Sequence, residues 1–271
     1  MQFKTICTCF LLVTFSCNNN ANSTSNKNER KDTIDNKNGI IQQDALTNGN
    51  EYAQIKSIPL PEGFSRIENN VNSFAYWLEN VSLKKSKTVY KFDGSEKFNQ
   101  TAQFAVLDIS VGKKDLQQCA DAVMRLRAEY LFSQKEFDKI VFIDNANTSY
   151  KFAEPFTREN FIKYLDRVFG MCGSASLAKQ LKIKSSFNNI KAGDVLIRGG
   201  FPGHAVIVMD VAQNAAGKKI YMIAQSYMPA QDIHVLQNPD NENLSPWYEV
   251  NENEIIQTPE YTFKKSELKE W

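Results

Sequence analysis

The segment "DVLIRGGFPGHAVIVMDVAQNAAGKKIYMIAQSY", residues 194–227, constrains the fold of this chain more than any other. It holds three apolar runs, "DVLI", "HAVIVMDV" and "KIYMIAQSY", rich in β-branched and aromatic residues. A glycine turn at 199–203 separates the first two, and the hairpin loop "AQNAAGK" separates the second from the third. Short apolar runs joined by turn chemistry read as consecutive strands of an antiparallel meander. Upstream, "AQFAVLDISV" (102–111) and "KIVFID" (139–144) read as further strands, and "KTVYKFDG" ends in an Asp93-Gly94 turn signal.

Between those strands the period changes. Asp115 suits a helix N-cap, with Gln118 three residues on as in a capping box. Leu116, Cys119, Ala120, Val123, Leu126, Arg127 and Tyr130 then fall on one stripe. Cys119 is therefore expected in the first turn of this helix, facing inward. Thr157 caps a second amphipathic helix, "RENFIKYLDRVFG", whose apolar face carries Phe161, Tyr164, Leu165, Val168 and Phe169. A short helical piece, "SLAKQL", leads into the meander. Helices set apart from an antiparallel sheet define an α+β fold.

The amino terminus has another purpose. "MQFKTICTCFLLVTFSC" carries one early lysine and an apolar run from Ile6 to Phe15, too short to span a bilayer, and reads as a signal peptide. Cys17, after a small residue, resembles the lipobox cysteine of bacterial lipoproteins. That implies lipidation at Cys17, a membrane partner reached through the lipid, and an exported, lipid-anchored place in a bacterial cell envelope. Ordinary secretion with cleavage elsewhere is the alternative. From Asn18 to Asn50 the chain is dominated by Asn, Ser, Thr, Lys and Asp, with little to bury. The expected organisation is a signal peptide over 1–17, a disordered polar tether over 18–57 and one globular domain over 58–271.

Composition excludes several classes. Lys and Arg number 32 against 31 Asp and Glu, for a net charge of +1, so no basic excess points to nucleic acid. Two histidines, with no CxxC or HxxxH spacing, leave no metal site and imply no cofactor. Beyond the leader and Cys17, only Cys119 and Cys172 are present, enough for one disulfide but no disulfide framework.

A thiol becomes a strong nucleophile when a helix N-terminus and a nearby imidazole lower its pKa. Cys119 has the first by its place in the helix. Only folding can bring it His204, 85 positions away. "IKAGDVLIRGGFPGHAVIVMDV" resembles the strand, glycine turn, Gly-His and strand segment of papain-like cell-wall hydrolases, the NlpC-type peptidases and CHAP amidases. The resemblance implies a papain-like core with Cys119 as nucleophile, His204 as base and Gln225 as the residue orienting the imidazole. Ser226 and Asp232 are alternatives for that last role. Gln118 stands where those peptidases usually carry Asp, and an amide replaces their third His, Asn or acid. From Ile58 onward the chain also resembles a family of Bacteroidota lipoproteins of unknown function, through "LQQCADAVMRLRAEYLF", "GGFPGHAVIVMD", "AQSYMPAQDIHVL" and "SPWYEVN".

Other residues carry competing readings. Cys172 precedes a helix start at Ser174 and rivals Cys119, or else sits in a tight turn. His204 is a catalytic base or a buried structural histidine, and His234 an outward or satisfied residue. Arg198 binds a substrate carboxylate or is solvated. Gly203, Phe201, Tyr227 and Trp247, with Tyr248, are expected to line a substrate groove. Two functions follow: a thiol-dependent hydrolase or acyl transferase acting on peptidoglycan-type peptides, or a non-catalytic envelope protein binding a glycan or peptide.

Overall fold

A computed structural model describes residues 49–271; the expected signal peptide, the lipidation at Cys17 and most of the polar tether lie outside the described residues. The strands in chain order are β1 (Phe64–Arg66), β2 (Gln103–Val106), β3 (Val141–Ile143), β4 (Ser149–Lys151), β5 (Lys182–Ile183), β6 (Val195–Arg198) and β7 (His204–Asn214), then β8 (Lys219–Gln225), β9 (His234–Leu236), β10 (Tyr248–Glu249), β11 (Ile255–Gln257), β12 (Thr262–Lys264) and β13 (Leu268–Glu270). The α-helices are α1 (Phe74–Glu79), α2 (Cys119–Ser133), α3 (Arg158–Met171) and α4 (Ser174–Gln180). The fold is mixed α and β, dominated by a large antiparallel sheet in the order β2-β9-β8-β7-β6-β13-β5. Strand β1 also pairs with β7, and β10 with β8, while β3–β4 and β11–β12 form separate hairpins.

Strand β7 is apolar on both sides and is buried on both sides from His204 to Ala212. Ala205, Ile207 and Met209 join the larger core, which also takes Val123 and Leu126 of α2 and Phe161 and Leu165 of α3. Val206 and Val208 face a second cluster with Phe187, Tyr221, Phe263 and Leu268. A register shift between Val208 and Asp210 inserts one residue, so Val211 returns to the side of Val206 and Val208. Asp210, at that irregularity, holds its carboxylate 2.8 Å from Arg66 Nε.

Helix α3 follows its sequence signals: Thr157 Oγ1 accepts the Asn160 N–H, and Phe161, Leu165, Val168 and Phe169 are buried. Helix α2 begins later than its capping signals predict. Leu116 lies in a preceding turn, Gln118 is the N-cap and Cys119 is the first helical residue. The Asp115 carboxylate serves another segment instead, accepting the Ala230 N–H at 2.7 Å. The folded unit also starts before residue 58. Ile55 is fully buried and its N–H bonds to Val81 O at 3.1 Å, so residues 49–57 belong to the fold rather than to a tether. Burying Ile55 and Ile58 together anchors that segment.

Phe161 is fully buried, its ring 4.5 Å from that of Phe132 and 5.6 Å from that of Phe152. Phe161→Ala is expected to cost about 3–5 kcal/mol. Urea denaturation with an unchanged m-value checks it.

Candidate functional site

One cavity of about 410 Å³ opens where the start of α2, the end of α3, the 199–203 turn and the tip of the β11–β12 hairpin meet. Cys119 and His204 both line it, as do Gly203, Phe201, Tyr227 and Tyr261.

The start of α2 is fixed from two directions. Asp121 Oδ2 accepts the N–H of Gln118 at 3.0 Å, and Ser226 Oγ lies 2.9 Å from the Gln117 carbonyl oxygen. Ser226 Oγ also lies 2.8 Å from the Gln231 carbonyl, so its hydroxyl fastens the helix start to the end of β8. The thiol of Cys119 then sits partly exposed beside the first residues of β7, facing the N–H groups of Ala120 and Ala205. Burial pushes the Cys119 thiol up, and the charge of Asp121 pushes the same way, while those N–H groups oppose them. Burial also raises the Asp121 carboxyl well above the usual range, and its Oδ1 has no partner. Its electrostatic push on the thiol fades wherever it holds a proton.

His204 is 2% exposed and heads β7. Its Nε2 lies 2.7 Å from Gln225 Oε1. Since an amide carbonyl only accepts, the ring carries its proton on Nε2 and leaves Nδ1 bare. The rings of Tyr227 and Tyr261 lie 4.8 and 4.9 Å from the imidazole, and Phe263 lies 5.9 Å away. In this apolar surround burial pushes His204 down to about 4, against the bond from Gln225. The resting site thus has a thiol and a neutral imidazole lining one cavity, rather than a preformed ion pair.

Gly203 has a steric reason. A Cβ there would meet Gly200 O and Ser174 Oγ, each at 2.4 Å. Only glycine lets this turn pass so close to the start of α4 while delivering His204. Among the other aromatic groove residues, Phe201 is fully exposed on the rim and Tyr227 lines the wall.

Several expectations are corrected. Trp247 is 1% exposed and packs in the larger core, donating its indole N–H to Pro59 O, so it does not line the cavity. Tyr248 is buried against Tyr221, its hydroxyl on Gln237 O. Asp232 is engaged with Lys84 at 2.9 Å and the Tyr90 N–H at 3.1 Å, leaving Gln225 as the partner of His204. Arg198 stays partly exposed but is not free to take a substrate carboxylate, because Glu267 pairs with its guanidinium at 2.5 and 2.8 Å. Of the two readings of His234 the satisfied one holds: it is fully buried, with Nδ1 2.8 Å from Asp232 O. Cys119 and Cys172 are both free thiols. Cys172 is the C-cap of α3, and burial first, then Asp144 and Asp121, push its thiol to about 11. Among the described residues, no group of three or more His, Cys, Asp or Glu is placed to hold a metal ion.

Sequence reasoning missed Tyr261 and Asp121. Tyr261 sits in the turn of the β11–β12 hairpin, whose fold over the head of β7 is a long-range event; its hydroxyl donates to Pro202 O at 3.1 Å. Asp121 carried a legible signal, an acid three residues after a helix N-cap.

Both histidines are held below their unfolded pKa near 6.5, His204 to about 4 and His234 to about 3, in each case mainly by burial. In that window the unfolded chain binds protons that the folded chain does not, so stability falls as pH drops from about 6.5 towards 4. NMR titration should show imidazole resonances flat from about pH 8 to 5 in the folded protein; a midpoint near 6.5 for His204 would refute its burial.

No curated protein and no solved structure matches this chain. The family described as "Domain of unknown function (4846)" matches residues 55–155 and 143–270, which take in both walls of the cavity. The chain is a member of that family.

Proposed function

We propose that this protein is a thiol-dependent amide hydrolase or acyl transferase of the bacterial cell envelope, held to a membrane by lipid on Cys17 and acting on peptidoglycan-type peptides. In this reading its core is papain-like and distantly related to the NlpC and CHAP enzymes, and the chain is one of a family of Bacteroidota lipoproteins. The observation that carries it is the meeting of Cys119 and His204 at one cavity, with Gln225 bonded to His204 behind it.

The chemistry balances with these groups alone. As Cys119 Sγ forms a bond to the amide carbon, His204 Nδ1 takes the thiol proton. The oxyanion is met by backbone N–H groups at the start of α2. When the C–N bond breaks, the imidazolium returns its proton to the leaving amine, and a thioester remains on Cys119. Water, with His204 again as base, releases the acid; an amine in its place completes a transfer. Gln225 holds the ring through Nε2. Among the described residues no lysine or arginine lines the cavity, so the part of the substrate that reaches the sulfur is neutral, with its carboxylates outside.

A second reading, a binding protein for a glycan or peptide, is favoured by two observations. Burial keeps the thiol protonated, and Phe201 stands fully exposed at the rim beside Tyr227 and Tyr261.

The test is turnover of muropeptides by the full chain, read as new amino groups, with mass spectrometry of the protein for an acyl adduct. Cys119→Ala should lower turnover by about a thousandfold or more and abolish the adduct. Binding of muropeptides with equal, negligible turnover in wild type and variant would establish the binding reading instead.

A further inference from the structure

Gln225 can orient His204 only if its amide is held one way round, and both hydrogens of that amide have acceptors. Its Nε2 donates to Glu260 Oε2 at 2.7 Å. The same nitrogen lies 3.4 Å from His234 Nε2. His234 donates from Nδ1 to Asp232 O, which leaves its Nε2 unprotonated and able to accept. With the nitrogen facing two acceptors, the Gln225 carbonyl is left for His204.

Glu260 is fixed in turn. Lys97 Nζ lies 2.7 Å from Glu260 Oε2, and Asn99 Nδ2 lies 3.4 Å from Oε1. Lys97 is 7% exposed, so this pair is screened little by solvent. The adjacent Thr258 and Tyr261 close the hairpin turn, Thr258 N–H donating to Tyr261 O at 2.9 Å. The groups around His204 are Gln225 from β8, Tyr227 beyond it, and Tyr261 and Phe263 from the hairpin, with Cys119 of α2 lining the same cavity.

We propose that Glu260 is a positioning residue which, with His234, locks the Gln225 amide so that His204 keeps its proton on Nε2 and presents a bare Nδ1 to the cavity. Were the amide to turn over, its NH2 would face His204 Nε2, the ring proton would move to Nδ1, and the base needed at the thiol would be lost. The consequence for catalysis rests on the function proposed above. The tautomer itself does not.

The experiment therefore reads the tautomer directly, by two-dimensional 1H–15N NMR of the imidazoles in the full chain at pH 7. Wild type should show His204 protonated at Nε2 and His234 at Nδ1; a proton on Nδ1 of His204 would overturn the proposal without any variant. In Lys97→Met/Glu260→Met, which removes both charges together, the ratio of the His204 tautomers should shift towards Nδ1–H by about ten- to hundredfold, the weight of one charge-assisted hydrogen bond. Glu260→Gln keeps an acceptor for the amide and should retain the wild-type tautomer. An unchanged tautomer in a folded double variant would overturn the proposal. Muropeptide turnover, measured beside it, separates the two ideas: a tautomer that shifts in a protein without turnover upholds the lock and refutes the enzyme.

Discussion

Strand β7 must be covered on both sides, and that requirement organises the molecule. Its run from His204 to Ala212 has no solvent-facing side, so it can only lie in the middle of a sheet with a layer on each surface. Helices α1 and α2 supply one layer; the second cluster, with Phe263 of the C-terminal hairpin, supplies the other. The cavity forms at the head of this strand, where the two layers part. Cys119 arrives with the helical layer, and Tyr261 with the hairpin layer. His204 stands between them because it is the first residue of the strand that both layers need.

Burial that stabilises the fold also sets the state of the site. The aromatic rings around His204 hold it neutral, and the close packing of α2 on β7 holds Cys119 as a thiol. Charge separation between them is then unfavourable until something enters the cavity and stabilises it. This differs from a site kept permanently as thiolate and imidazolium; in the proposed hydrolase the orientation of the imidazole would then matter more, since the base must be ready on the correct nitrogen before any charge exists. The buried polar groups running from His204 through Gln225 to His234, Glu260 and Lys97 have the geometry to impose it.

Asp121 has a different place in the balance. It stabilises the start of α2 through the Gln118 N–H while leaving one oxygen without a partner near both cysteines. An unsatisfied buried oxygen is costly, and a proton on it relieves much of that cost. The residue so tied to the helix start also carries a charge that pushes the thiol up, and its protonation state bears on both.

The strands around β7 and the helix α3 were legible from the sequence because each is decided by local pattern: two-sided apolar runs, turn glycines, and a threonine cap before a 3.6-residue stripe. The pairing of a cysteine at a helix start with a histidine at a strand start could be suggested by that order. Where signals conflict with distant partners, local pattern fails. Asp115 looks like a helix cap, but the backbone of Ala230 claims it. Trp247 looks like a groove residue, but a buried carbonyl at Pro59 and the core around it claim the ring. Glu260 sits in "TPEY" with nothing nearby to mark it, and gains its role only because the hairpin folds over Gln225, 35 residues earlier in the chain. Periodicity determined which segments became strands and helices; long-range packing alone decided which polar side chains would be sealed together, because burial, not sequence position, fixes what an amide or a carboxylate has left to bond.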